Sequence, residues 1–437
     1  MRNLGLTWPM AGPPPPYDPD LYDCTIQARG SNGMAGIVGT PVIDLSSGTM
    51  YVVGNLMVSG ASQHKIFAIN IRSGLDATAP AVICDGPGAG AGVFDPGFAL
   101  QRAGLLLADH RIVAAYASFR DIPPFQGWAF TFDRNSLTKS DQWNYSPHFS
   151  GAAIWMSGAG PSFDGQNAYV VTGNNKDDYG TGSPVLPIEL SNSLLQINPF
   201  GSGVTGLGQI HQFLPPQASL WSVVGADKDL SSSRSIVLPG TNYVLAGGKW
   251  GNVYVLDRTA PLSSPPSSTT TPATTDGGSL AATFSDIPVN TPAQLGWGIY
   301  GGLAYWNGRI YTWANQSPLR SYSLTNVIAK DSAAGQKEAL DSMVIDALAI
   351  PISISSNSDL NGLIWAARTN GRYTSFSAGK LEVYDAVNLV KLASIDFPNS
   401  PLTLVPDSPM KFSAPVVANG RVYIATAALQ LLVYGLP

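Results

Sequence analysis

The sequence has 437 residues, of which only 12% are charged, and its formal net charge at pH 7 is −5. Soluble domains usually carry about 25% charged residues, so this composition offers no basic stripe for a nucleic acid or for an anionic lipid surface. No apolar run reaches the length of about 18 residues that a membrane-spanning helix requires. We therefore predict a globular protein that binds no nucleic acid and crosses no membrane.

In chain order, the predicted elements begin with one isolated strand at residues 4–10, LGLTWPM. Seven later segments share a turn followed by a short run of β-branched and aromatic residues, which is typical of strands. These segments lie at 48–54, 110–116, 166–173, 241–248, 307–314, 361–368 and 419–426. Three of them open with Asn-Gly, at Asn307, Asn361 and Asn419, and this dipeptide is the strongest short signal for a β-hairpin turn.

Each of these runs lies between further short strands. A preceding run leads into it, and a following run ends in a polar turn, as in KIFAINIRSG (65–74) and GKLEVYDAVN (379–388). Fourth runs are visible in several units, and the pattern recurs about every 62 residues. Four antiparallel strands in a repeating unit of this kind are typical of a β-propeller blade. The one segment with a helical pattern is 328–347.

The repeat predicts the fold class, an all-β, seven-bladed β-propeller of four-stranded antiparallel blades that occupies residues 1–437 as a single domain. The last unit ends with its third strand at 429–437. The isolated strand at 4–10 is therefore predicted to supply the missing fourth strand and to cover an exposed sheet edge. A stretch rich in Ser, Thr and Pro at 260–278 is predicted to be a flexible surface loop.

Several repeat segments resemble the PQQ-like repeat propellers of the quinoprotein alcohol dehydrogenase-like superfamily. The resemblance covers roughly residues 36–437 and rests on segments such as GTPVIDLSSGTMYVV, FQGWAFTFD, GGKWGNVYVLDR and FSAPVVANGRVYIAT. It implies the propeller fold. The working quinone enzymes of this superfamily also carry an adjacent Cys–Cys pair, whereas Cys24 and Cys84 stand 60 positions apart. The resemblance therefore does not extend to quinone chemistry.

Other cofactor motifs are missing from the sequence as well. The four histidines lack a metal-ligand spacing such as H-x-x-x-H, and no C-x-x-C-H haem attachment occurs. These histidines are His64, His110, His148 and His211. We therefore expect neither a metal nor an organic cofactor. Whether Cys24 and Cys84 form a disulfide stays open.

The remaining chemistry is expected at the central mouth of the propeller, where loops from several strands meet. Candidate hydrogen-bond donors in these loops are Lys249, Arg120, His148 and Arg368. Candidate aromatic walls for an apolar substrate are Trp155, Trp250, Trp297, Tyr300 and Trp313. Lys249 is the first choice because the glycines before it let its turn approach a ligand closely. The structural alternatives are packing of the tryptophans between blades and a salt bridge at Lys249.

With ten Trp residues, an apolar composition and no cofactor motif, the chain is similar to the fungal hetero-Diels–Alderases of tropolone–sesquiterpene biosynthesis. This resemblance implies an enzyme of secondary metabolism that joins a tropolone-derived quinone methide to a sesquiterpene. Such chemistry suits the predicted mouth, because holding two apolar partners in a reactive geometry can supply about 7–11 kcal/mol. A Lys, Arg or His donor would polarise the reacting oxygen.

Two other classes of function stay open. A secreted carbohydrate- or polymer-binding propeller, or a degenerate PQQ-type oxidoreductase, would suit the glycosylation sequons at Asn144 and Asn315. The sequons and the low charge favour the secretory pathway, although the first 16 residues lack the apolar core of a signal peptide. A protein–protein scaffold is the remaining alternative. The low fraction of charged residues argues against it, because scaffolds usually select partners with exposed charge.

Overall fold

The structure is a computed structural model that describes residues 8–9, 34–59, 61–84, 93–118, 125–147, 150–174, 190–215, 228–260, 279–285, 298–315, 317–342, 351–369, 379–399, 407–410, 412–426 and 430–435. The strands of these ranges form seven successive antiparallel sheets, each built from strands that are consecutive in the chain. This arrangement confirms the predicted all-β, seven-bladed β-propeller fold class.

One compact unit of the chain contains a short N-terminal ribbon and the first three sheets. In the ribbon, β1 (Trp8–Pro9) pairs with β2 (Met34–Ala35). Sheet 1 consists of β3 (Val42–Asp44), β4 (Thr49–Val58), β5 (Ala61–Asn70) and β6 (Asp76–Cys84). Sheet 2 consists of β7 (Ala99–Leu100), β8 (Leu106–Ala108), β9 (Arg111–Ser118), β10 (Trp128–Asp133) and β11 (Lys139–Asn144). Its first strand is split, since β7 and β8 both pair with β9. Sheet 3 consists of β12 (Ser162–Phe163), β13 (Ala168–Val171), β14 (Leu194–Ile197) and β15 (Ile210–Phe213).

A second compact unit contains sheets 5 to 7 and most of sheet 4. Sheet 4 consists of β16 (Ser235–Val237), β17 (Tyr243–Gly247), β18 (Asn252–Asp257) and β19 (Leu280–Ser285). Sheet 5 consists of β20 (Leu303–Trp306), β21 (Arg309–Thr312), β22 (Leu319–Ser323) and β23 (Lys337–Ala339), and the short helix α1 (Leu324–Ile328) follows β22. Sheet 6 consists of β24 (Ile352–Asn357), β25 (Leu360–Thr369), β26 (Gly379–Asp385) and β27 (Lys391–Asp396). Sheet 7 consists of β28 (Val416–Ala418), β29 (Arg421–Ala425) and β30 (Leu431–Gly435).

Single turns of 3-10 helix lie in the loops between these strands. They span Met156–Gly158, Gly203–Thr205, Leu230–Ser232 and Leu340–Ser342. The Ser157 hydroxyl donates to the carbonyl of Ser232, so the first and third of these turns are joined directly.

The N-terminal strand is found beside sheet 1 in the part of it that the structure describes. Trp8–Pro9 pairs with Met34–Ala35, and this strand contacts β4 and β5. Sheet 7 has three strands among the described residues. Closure of the last sheet by the strand at 4–10 is therefore not shown. Residues 261–278 of the predicted Ser/Thr/Pro-rich loop lie outside the described ranges.

The helical pattern at 328–347 does not form an α-helix over the described residues 329–342. The helix α1 ends at Ile328, and Lys337–Ala339 forms the fourth strand of sheet 5. Ala339 pairs with Leu319 of β22 and is buried, so tertiary pairing outweighs the helical propensity of this segment. Residues 343–350 lie outside the described ranges.

One of the three predicted Asn-Gly turns is also misplaced. The turn between β24 and β25 lies at Ser358–Asp359 instead of at Asn361, where the pairing of the two strands is irregular. Asn361 still has a positive φ of 54°. Gly362 serves packing, because a Cβ there would come within 2.6 Å of the Trp306 ring. Asn307 and Asn419 form the predicted turns, with φ values of 46° and 50°.

Apolar residues of neighbouring sheets pack face to face and form the core. Sheets 1 and 2 share one cluster that includes Ile66 and Phe130, and sheets 5 and 6 share another that includes Tyr311 and Ile364. These four side chains are at most 1% exposed. Alternation along each strand places such residues on the inter-sheet face.

The third strand of several sheets ends in a turn that a carboxylate or amide side chain closes. The Oδ1 atom of Asp385, the last residue of β26, accepts the backbone N–H groups of Val387 and Asn388 at 2.8 and 2.9 Å. Asp133, the last residue of β10, closes the equivalent turn of sheet 2. These Asx turns accept hydrogen bonds from backbone N–H groups that have no partner in the neighbouring strands.

A buried tyrosine of the preceding sheet hydrogen-bonds to this turn. The Tyr311 hydroxyl donates to the carbonyl of Ala386 at 2.9 Å, and the Tyr51 hydroxyl donates to the carbonyl of Arg134 at 3.0 Å. Both acceptors directly follow the turn-closing aspartate. Burial raises the pKa of Tyr311 to about 12, so its hydroxyl stays protonated and remains a donor. The contact therefore connects sheets 5 and 6 in the same way as sheets 1 and 2.

We predict that Tyr311→Phe lowers the free energy of unfolding by about 1 kcal/mol, because it removes a hydrogen bond and keeps the ring. Tyr423 stands at the same repeat position in sheet 7, and its hydroxyl has no hydrogen bond among the described residues. Tyr423→Phe is therefore the matched control and should change stability little. Urea denaturation of both variants measures the difference, and equal losses would contradict this role for the Tyr311 hydroxyl.

Candidate functional site

The turn between β17 and β18 presents Lys249 and Trp250 at the end of sheet 4. The backbone N–H of Gly251 donates to the carbonyl of Gly248 at 2.9 Å and closes a four-residue turn. Gly251 has a φ of 74°, a conformation that glycine adopts without steric cost. Lys249 and Trp250 occupy the two central positions of the turn, and both are half-buried.

A second segment crosses this turn at very short range. The backbone N–H of Ile299 donates to the carbonyl of Gly248 at 3.0 Å. A Cβ on Gly298 would overlap the carbonyl oxygen of Lys249, and the φ of Gly298 is 139°. Only glycine fits here, and the close crossing brings Tyr300 beside the turn. The Nζ atom of Lys249 lies 6.0 Å from the centre of the Tyr300 ring, the outer limit of a cation–π contact.

A third segment pairs with the second through Asn315. Its backbone N–H donates to the carbonyl of Gly298 at 2.8 Å, and its side chain is 4% exposed. We refer to Lys249, Trp250, Gly298, Tyr300 and Asn315 together as the Lys249 cluster. Three of the residues predicted for the site, Lys249, Trp250 and Tyr300, thus lie together. In the sequence, Asn315 stands out only as part of a glycosylation sequon and not as a residue of the site.

The two sequon asparagines are engaged in the folded chain. Asn315 is buried, and the Nδ2 atom of Asn144 donates to the Oε1 atom of Gln126 at 2.8 Å. The Asn144 amide is therefore used internally and the Asn315 side chain is buried, which weakens the sequons as an argument for export.

Trp313 packs in the core between sheets 5 and 6. It is 1% exposed, and its ring meets the Tyr384 ring edge to face at a centre-to-centre distance of 5.7 Å. A tryptophan in this position stabilises the contact between the two sheets. The structure thus gives Trp313 the packing role that was the alternative to a substrate wall.

Arg368 is held by a buried carboxylate. Its Nε and Nη2 atoms donate to the two oxygens of Glu382 at 2.6 and 2.7 Å, in a bidentate ion pair that is at most 8% exposed. The Tyr384 hydroxyl also donates to Glu382, at 2.8 Å. Burial alone would raise the pKa of Glu382, but the hydrogen bonds and charge of Arg368 and the Tyr384 hydroxyl lower it below the ordinary 4.5. The Glu382 carboxylate therefore stays ionised. It binds the Arg368 guanidinium, which was predicted to face a substrate.

Trp155 belongs to the first unit, where it is 8% exposed and packs with Phe125 and two alanines. The guanidinium carbon of Arg102 lies 5.1 Å from the centre of its ring. Arg102 is not among the residues predicted for the site. A buried cation over an indole face is a stabilising contact, and no short motif signals it in the sequence.

The other predicted site residues, Arg120, His148 and Trp297, lie outside the described ranges. Within the described part of the chain, no group of three or more His, Cys, Asp or Glu side chains could hold a metal ion. No helix in those ranges is long and apolar enough to span a membrane.

Comparison with known proteins finds similarity at the level of solved structures. No protein-family profile and no curated protein matches this chain. BamB from Moraxella catarrhalis is 11% identical over 92% of this chain and 85% of its own, with a TM-score of 0.49. The quinohemoprotein alcohol dehydrogenase ADHIIG from Pseudomonas putida HK5 is 11% identical over 87% of this chain and 60% of its own, also with a TM-score of 0.49. The β-propeller domain of Cps50 (Swd1) from Myceliophteria thermophila is 7% identical over 92% of this chain and 97% of its own, with a TM-score of 0.47.

We predict that Gly298→Ala destabilises the protein by about 2 kcal/mol or more, because the new methyl group meets the Lys249 carbonyl at a backbone conformation unfavourable to alanine. Gly54→Ala is the matched control, since a Cβ there meets nothing closer than 3.6 Å. Thermal unfolding of both variants measures the effect. An unchanged melting temperature for Gly298→Ala would contradict the close crossing.

We predict that Glu382→Gln costs about 3–5 kcal/mol of stability, because it leaves the buried Arg368 guanidinium without its carboxylate. Glu338→Gln is the control. Glu338 pairs with Arg320 at 2.9 Å but is 29% exposed, so its loss should cost about 1 kcal/mol or less. Equal losses in urea denaturation would contradict the importance of burial.

The same pair makes stability depend on pH. Since the folded-state pKa of Glu382 lies below the ordinary 4.5, its contribution is complete above about pH 4.5 and is lost as the pH falls through the folded value. The wild-type protein should therefore lose more stability than Glu382→Gln over this acidic range. Parallel pH dependences of the two melting temperatures would contradict this assignment.

Proposed function

We propose that the protein is a cofactor-independent small-molecule enzyme whose substrate site includes the Lys249 cluster. The observation that carries the proposal is the half-buried Lys249 ammonium beside the Tyr300 ring, in a turn that Gly248 and Gly251 fix at the end of sheet 4. The ammonium is a hydrogen-bond donor for an oxygen of the substrate. Tyr300 and Trp250 supply aromatic surface for its apolar part.

The reaction class that we propose is a hetero-Diels–Alder cyclisation between a tropolone-derived quinone methide and a sesquiterpene alkene. Such a cycloaddition needs no external oxidant or proton donor. Its rate depends on orientation of the two partners and on polarisation of the electron-poor oxygen. A lysine donor and aromatic walls are the groups that meet these two needs.

The central test is turnover by Lys249→Met, which keeps the side-chain length and removes the charge. Loss of one preorganised donor to a developing negative charge typically lowers turnover about 10²–10³-fold. The measurement is the rate and stereochemistry of cycloadduct formation from a quinone methide precursor and a sesquiterpene, by chiral chromatography with mass detection, against the spontaneous reaction. Lys139→Met is the control, since Lys139 is exposed and donates to Gln142.

Several results would contradict the proposal. Turnover by Lys249→Met at the wild-type rate would show that Lys249 is not part of the site. A product that forms at the uncatalysed rate and with the uncatalysed stereochemistry would show that the protein does not catalyse this reaction. Saturable binding of an oligosaccharide without turnover would favour the binding propeller instead. A quinone absorption band in the purified protein would replace the cofactor-independent mechanism by an oxidoreductase one.

A further inference from the structure

Three buried polar side chains lie together near the hairpin end of β4 and β5, and none of them belongs to the proposed site. Asn55, Ser62 and His64 are 4%, 5% and 0% exposed. Asn55 stands directly opposite His64 in the register of the two strands. We refer to these three residues as the His64 cluster. Polar side chains this deeply buried normally have their hydrogen bonds satisfied.

The protonation state of His64 follows from its contacts. Its Nε2 atom lies 3.1 Å from the carbonyl oxygen of Pro96. A carbonyl only accepts, so Nε2 carries the proton and Nδ1 bears a lone pair. Burial lowers the pKa of His64 to about 4, and the ring is therefore neutral near pH 7. The rings of Phe94 and Tyr116 flank it at centre-to-centre distances of 5.8 and 5.4 Å.

Two atoms of the cluster remain unsatisfied within the described part of the chain. They are the Nδ1 atom of His64, an acceptor, and the Nδ2 atom of Asn55, a donor. The Ser62 hydroxyl lies 3.0 Å from the Oδ1 atom of Asn55 and 2.9 Å from the carbonyl of Pro96, so it engages the other end of the amide. Directly opposite residues in an antiparallel pair have Cβ atoms about 4.5–5.5 Å apart. The Asn55 and His64 side chains therefore lie side by side on one face of the hairpin.

We infer that one internal water molecule binds between Asn55 and His64, accepting from Asn55 Nδ2 and donating to His64 Nδ1. Buried waters in proteins typically satisfy polar groups of this kind, whereas cavities that stay empty are apolar. The water completes the hydrogen bonding of a buried donor and a buried acceptor with one molecule. It thereby reinforces the His64 tautomer that the Pro96 carbonyl selects.

A crystal structure of the full chain that resolves ordered water tests this directly. The expected result is one water within 2.7–3.2 Å of both His64 Nδ1 and the Asn55 amide. No density at this position, or a direct hydrogen bond from the Tyr116 hydroxyl to His64 Nδ1, would overturn the inference.

Nitrogen-15 NMR of histidine-labelled protein tests it in solution, with His64→Phe used to assign the resonance. Asn55→Leu should shift the Nδ1 resonance toward that of an acceptor nitrogen without a hydrogen bond, because the bridge loses one end. Asn135→Leu is the control, since Asn135 is exposed in the same unit. An Nδ1 resonance unchanged by Asn55→Leu would overturn the bridge. The wild-type crystal structure decides the matter independently of how well Asn55→Leu folds.

Discussion

The hydrogen bond from a second-strand tyrosine to a turn of the following sheet directs the packing of sheet 1 on sheet 2 and of sheet 5 on sheet 6. Apolar burial between sheets is large but non-directional, so it does not by itself fix how one sheet is placed on the next. The bonds from Tyr51 and Tyr311 supply that direction. Their acceptors lie in turns that Asp133 and Asp385 hold rigid. A local turn and a long-range contact thus share the same few residues.

The Lys249 cluster depends on a second constraint, the close approach of two backbone segments. Gly298 has no side chain to separate its segment from the turn of Lys249, and the two backbones meet at contact distance. This approach positions the Tyr300 ring beside the Nζ atom of Lys249. A side chain at Gly298 would push the two segments apart, and the donor would lose its aromatic neighbour. The geometry of the proposed site is therefore encoded in a glycine as much as in the residues that would contact a substrate.

Much of the fold could be predicted because its strands repeat. The repeating runs and the turns at Asn307 and Asn419 predict seven four-stranded units, and the structure confirms that class. The fourth strand of sheet 5 could not be predicted, since three residues at 337–339 carry too little pattern to compete with a helical propensity. The strand at 4–10 was assigned to the last sheet by counting strands. Such counting cannot say which edge a strand will pair with.

Strand geometry explains why the roles of some candidate site residues could be predicted from the sequence and those of others could not. Alternation puts Tyr311 and Trp313 on one face, and both lie in the core between sheets 5 and 6. The core role of Trp313 could thus have been inferred from Tyr311. The pairing of Arg368 with Glu382 could not be predicted, because it depends on the register of the two strands. Ala366 stands opposite Glu382, and Arg368 lies two residues further along and so on the same face. A shift of one residue would put the two side chains on opposite faces.

Arg368 and Lys249 show why burial alone does not identify a functional cation. Burying a charge is costly unless a partner offsets the lost hydration. For Arg368 the partner is a carboxylate at bidentate distance, and that carboxylate is ionised at neutral pH. The Nε and Nη2 atoms of the guanidinium are already bonded to Glu382, so a substrate oxygen would have to displace an ion pair to reach them. Lys249 is half-buried, and its Nζ atom lies 6.0 Å from the centre of the Tyr300 ring. Lys249 is therefore more accessible to a ligand oxygen than Arg368, which is 8% exposed. On this physical ground Lys249 is the better candidate for the donor in the proposed enzyme.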